Sequence, residues 1–176
     1  MAHTICTLRE HAAAIKEGSR LFENAFQGVA RMILENEIEK VVVNGKTTYD
    51  FKIFRTGKKH TIGMYDEINS FVSFVKDAAE GGSSKEMAYV LVGEPGNGKT
   101  FFVELLCAKY RSFLSLDANR RYTFRYTNMD RLGHYGRIDG IESQTYEDPM
   151  ILARNLFENR DDNIAFLQKE FGCTDP

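Results

Sequence analysis

The stretch Gly93-Glu94-Pro95-Gly96-Asn97-Gly98-Lys99-Thr100 limits what this chain can fold into more than any other. It fits the pattern G-x-x-x-x-G-K-[ST], the phosphate-cradling P-loop. Glycines let the backbone turn back and bring its N–H groups up to phosphate oxygens with no Cβ in the way. The lysine of such a loop reaches the β- and γ-phosphates, and the Ser/Thr hydroxyl ligates Mg²⁺. A helix beginning near Lys99 adds its positive dipole end. By composition, a chain of this length meets the pattern by chance roughly 1% of the time.

The flanks fit the motif. Met87-Ala88-Tyr89-Val90-Leu91-Val92 is apolar and β-prone, as a buried parallel strand reads. Behind the loop, Phe102, Leu105, Leu106 and Tyr110 share one helical face. Strand, loop and helix in that order predict an α/β fold with a parallel-sheet core, taking a nucleotide and Mg²⁺ at Gly93, Glu94, Pro95, Gly96, Asn97, Gly98, Lys99 and Thr100. Thr100 is the expected metal ligand.

Charge and cysteine content narrow the remaining classes. The 176 residues suit one domain, and the net charge of −2 offers no electrostatic case for nucleic acid. Cys6, Cys107 and Cys173 have no C-x-x-C spacing, which argues against zinc or a disulfide framework and for a reducing cytoplasm. No apolar run approaches the roughly 20 residues of a membrane span, so no membrane partner is expected. His3, His11, His60 and His134 lack metal-ligand spacing.

Upstream of the motif, residues 1–18 read as a lead-in or short helix, and residues 19–176 as the domain. A helix is predicted from Ser19 as N-cap, with Phe22, Ala25, Phe26, Val29, Met32 and Ile33 at helical spacing. Asn44-Gly45 predicts a type I′ hairpin in which Tyr49, Phe51 and Ile53 alternate with Thr48, Asp50 and Lys52 as buried and wet faces. A helix follows from Asp66 to Ala79, ended by Gly81-Gly82. Downstream, Tyr122–Thr127 reads as a second strand of the sheet, and a loop carries Gly133, Gly136 and Gly140 with Arg131, His134, Tyr135 and Arg137. One helix is predicted from Pro149 to Asn159, and a last one capped by Asp161 or Asp162.

A P-loop ATPase also needs an acidic residue at the end of a neighbouring apolar strand. The nearest match is Phe113-Leu114-Ser115-Leu116-Asp117, which lies too close behind the loop helix for a strand and crossover. No arginine finger and no D-F-G, H-R-D or V-A-I-K kinase motif is found, so no catalytic residue is assigned.

Several runs nevertheless resemble the PrkA family of serine protein kinases. They are Glu39–Gly45, Tyr49–Phe54, Ile62–Phe71, Gly81–Thr100 and Glu142–Pro149, and the likeness covers roughly residues 22–172. The resemblance implies an AAA-type P-loop ATP-binding domain, its parallel sheet preceded by a helix and a β-hairpin. In the family that domain precedes a kinase-like region. On this reading the chain is an amino-terminal piece, with the acidic strand and the kinase-like region beyond Pro176. Ile62, Gly63 and Met64 match the segment that lines the adenine pocket in AAA-type domains. The implied partners are ATP and an unidentified protein substrate, with a homo-oligomer in a longer protein. Two rival expectations stand beside this one: a ring-forming AAA ATPase that remodels or degrades proteins, and a non-catalytic module that responds to nucleotide.

Overall fold

The computed structural model describes residues 5–127, 140–145, 147–154 and 159–171. Their regular elements are helices α1 (Leu8–Lys16) and α2 (Ala25–Leu34), strands β1 (Ile38–Val43) and β2 (Lys46–Phe51), and helices α3 (Tyr65–Ala79) and α4 (Lys99–Leu114). Strands β3 (Arg125–Tyr126) and β4 (Ile141–Glu142) and helices α5 (Pro149–Arg154) and α6 (Arg160–Phe171) complete them. The fold is thus mixed helix and strand. Two compact units are formed, one of Glu23–Leu116 and one joining Met1–Phe22 to Asp117–Pro176. Among the described residues no helix is long and apolar enough to cross a membrane.

The Glu23–Leu116 unit carries the loop. Helix α2 is capped by Asn24 rather than Ser19: Asn24 accepts from the Gln27 N–H at 2.9 Å, and the Gln27 side chain takes the Asn24 N–H at 2.9 Å. This reciprocal capping box satisfies two N–H groups at the helix start, whereas the Ser19 hydroxyl donates to the Ala14 carbonyl. Strands β1 and β2 form the predicted hairpin, with Val43 opposite Lys46 and positive φ at both Asn44 (51°) and Gly45 (76°). The expected alternation stops at Tyr49, which is half exposed. Asp50 and Phe51 are both buried, because the chain leaves the strand for a 3₁₀ turn at Lys52–Phe54 that turns Ile53 and Phe54 inward. A buried carboxylate needs partners, and Asp50 has Arg55 at 2.6 Å and Lys52 at 3.4 Å.

The core of this unit gathers Met32 and Ile33 of α2, Phe51, Ile53 and Phe54 from the hairpin end, Ile68 and Val72 of α3, and Phe102 and Leu105 of α4. Phe54 is fully buried. Its ring lies 5.5 Å from that of Phe102, which meets Phe71 edge-on at 5.3 Å.

The expected parallel sheet is absent among the described residues. Residues 87–92 form no strand, and the described strands pair only as two antiparallel ribbons, β1–β2 and β3–β4. Tyr89 packs on Phe71 and Phe74, and Leu91 packs against the core, while Val90 and Val92 are 72% and 90% exposed. A parallel strand needs neighbours for its ladder and cover on both faces, and here only one side is covered. The second expected strand shrinks to Arg125–Tyr126, antiparallel to Ile141–Glu142.

In the other unit, Thr7 and Glu10 form a second capping box, so the lead-in contains a well-formed α1. Arg9 reaches Glu170 of α6 at 2.6 Å, and buried His11 meets Asp148 at 3.4 Å. Helix α5 opens at Pro149 as predicted, and residues 155–158 of the predicted helix lie outside the described residues. Asn159, rather than Asp161 or Asp162, caps the last helix by accepting from the Asp161 N–H at 2.9 Å. The expected loop residues Arg131, Gly133, His134, Tyr135, Gly136 and Arg137 also lie outside the described residues.

At the end of α3, Gly81 has φ 86°, and Gly82 passes so close to the Asp77 carboxylate that a Cβ there would meet Oδ1. Hydrogen bonds from the Ser84 side chain and backbone hold the Asp77 carboxyl below its usual range, the backbone bond spanning 2.9 Å. A lowered folded-state value means a stabilisation present at neutral pH and lost as pH falls through that value. Asp77→Asn is therefore expected to lower the thermal midpoint at neutral pH. Its difference from the parent chain should fade below the ordinary carboxylate range, as followed by circular dichroism against pH.

Candidate functional site

The loop sits between residues 87–92 and α4, and its shape follows from its glycines. Gly96 and Gly98 take φ of 86° and 75°, left-handed values that other residues adopt at a cost. Gly98 is the N-cap of α4, whose first backbone bond runs from the Phe102 N–H to the Gly98 carbonyl at 2.8 Å. The leading N–H groups of a 16-residue helix thus face out at the loop, where an anion is favoured. Phe102, 3% exposed, locks this helix end into the core.

Lys99 folds back across the loop. Its Nζ donates to the carbonyls of Gly93 and Glu94, each at 2.6 Å. The ammonium thus rests on neutral acceptors. An anionic oxygen would compete with them, because it adds to the hydrogen bond a Coulombic attraction for the ammonium that a neutral carbonyl lacks.

A cavity of about 130 Å³ opens beside the loop, lined by Met64, Glu67, Ile68, Leu91, Val92, Gly93, Asn97, Lys99 and Phe102. It is smaller than the roughly 300–1,000 Å³ of typical small-molecule sites, so it would hold one part of a ligand while the rest lay across the exposed loop. Of the residues expected from sequence, the cavity joins Gly93, Asn97 and Lys99 to Met64. Met64 precedes the loop by the whole of α3, yet its sulfur lies 3.8 Å from where a Cβ on Gly98 would sit. Glu94, Pro95, Gly96, Gly98 and Thr100 belong to the loop but do not line the cavity. Gly63 and Ile62 do not line it either, and Ile62 is 86% exposed.

Sequence reasoning missed Glu67 and Ile68 as site residues, which α3 carries one turn beyond Met64, and Phe102, which it read only as part of an apolar face. Asp117, the nearest match to an acidic strand end, is no such thing: Phe113 and Leu114 close α4, and Asp117 opens a 3₁₀ turn, exposed and paired with Arg120. Among the described residues, no group of three or more His, Cys, Asp or Glu could hold a metal ion. Thr100 lies in the first turn of α4, beside Lys99. No protein-family model, curated protein or solved structure matches the chain.

Gly98→Ala tests whether the loop needs glycine for its backbone alone. At φ 75° the substitution is expected to cost about 1–2 kcal/mol, because the added Cβ meets nothing closer than ordinary contact distance and only the backbone is strained. Urea unfolding measures that loss.

Proposed function

We propose that the chain contains the ATP-binding module of a PrkA-type serine/threonine protein kinase, an AAA-type P-loop domain taking Mg-ATP at residues 93–100. The observation that carries the reading is the shared cavity, in which Met64 of the expected adenine-side turn meets Gly93, Asn97 and Lys99 of the loop. Apolar Met64, Ile68, Leu91 and Phe102 suit a base, while the loop side offers an ammonium and a helix N-terminus for phosphates.

On binding, Lys99 would give up the carbonyls of Gly93 and Glu94 for phosphate oxygens, and Thr100 would ligate Mg²⁺. The metal supplies charge neutralisation between the phosphates. The parallel sheet of such a domain would build on residues 87–92, whose outer side chains Val90 and Val92 are open to cover. A protein substrate, a cytoplasmic setting and a homo-oligomer belong to the same proposal.

Binding of a fluorescent ATP analogue with Mg²⁺ tests it. Saturable binding is expected in the parent chain, weakened at least about tenfold by Lys99→Ala, a loss of about 1.4 kcal/mol or more. Equal binding by the two proteins would contradict the proposal.

A further inference from the structure

The turn that brings Met64 to the cavity is held in an unfavourable backbone shape. Gly63 and Met64 take successive positive φ values of 70° and 56°, and Met64 is one of two described non-glycine residues with positive φ. Such strain persists only where surrounding contacts fix it. Met64 packs against the core and its carbonyl takes the Ile68 N–H at 3.0 Å, while the residues on either side of it are held by one side chain. Arg55 Nη1 donates to the Gly63 carbonyl at 2.6 Å, to the Thr61 hydroxyl at 2.9 Å and to the Thr61 carbonyl at 3.2 Å. Its Nε donates to buried Asp50 at 2.6 Å, and the guanidinium lies 4.4 Å over the Tyr65 ring.

Arg55 is itself largely buried, its side chain 13% exposed. Thr61, also buried, is tied in turn to the Phe54 carbonyl through its N–H at 2.8 Å and its hydroxyl at 3.0 Å. The planar guanidinium thus joins the end of the hairpin to the strained turn. A lysine there would keep the charge but not the fork that reaches Asp50, Thr61 and Gly63 together.

We infer that Arg55 is the positioning residue for the base side of the nucleotide site, seating Met64 in the cavity without touching the ligand. The inference rests on the nucleotide-binding reading. The two halves of the site are then separable: the phosphate side depends on Lys99 and the loop, the base side on Arg55.

The test compares Mg-ATP with Mg-tripolyphosphate, which offers phosphates and no base, in the parent chain and Arg55→Lys. A core variant, Ile33→Val, reports the effect of lost stability alone. Arg55→Lys is expected to weaken ATP about tenfold while tripolyphosphate stays within about twofold, and Ile33→Val to leave the ratio of the two unchanged. Parallel loss of both ligands in Arg55→Lys, an unchanged ATP affinity, or the same ratio change in Ile33→Val would overturn the inference alone. A parent chain that binds neither ligand would overturn the nucleotide reading, and the inference with it.

Discussion

Phe102 is the contact on which the site depends. It follows closely on Thr100, so whatever fixes its ring also fixes the start of α4 and the loop before it. Burial of a phenylalanine ring is worth about 1.5–3 kcal/mol, and here the ring lies against Phe54 from the hairpin end and Phe71 from α3. Three elements distant in sequence are thereby referred to one point, and the cavity opens beside it.

The polar counterpart is the Asp50–Arg55 pair. A buried carboxylate and a largely buried guanidinium each cost desolvation that only good geometry offsets. The arrangement meets that condition by giving the guanidinium backbone and hydroxyl acceptors in addition to Asp50. The same residues that make the charge tolerable hold the turn at Gly63 and Met64.

Much of this is legible in the sequence where a local rule decides the structure. Asn44-Gly45 dictates its turn through positive φ, and the apolar spacing of α3 and α4 marks their buried faces. The capping boxes Thr7–Glu10 and Asn24–Gln27 are equally local signals, which apolar spacing counted from Ser19 overlooks. Non-local outcomes are not legible. The burial of Asp50 depends on Arg55 reaching back from beyond the 3₁₀ turn, and residues 87–92 form no ladder because pairing depends on neighbours rather than on β-propensity. Within the site, the loop is readable from its motif, whereas Glu67, Ile68 and Phe102 join it only through the packing of α3 and α4 in one core.

If the loop and the Met64 turn form one nucleotide site, a single ligand must be felt by both. Titrating isotope-labelled protein with Mg-ATP, and following its amide and methionine methyl resonances, tests this most directly. Saturable shifts are expected at Gly96, Gly98, Lys99 and Thr100 together with the Met64 methyl, all with one dissociation constant. Shifts absent from the loop, or confined to it with Met64 unmoved at saturation, would contradict a shared site.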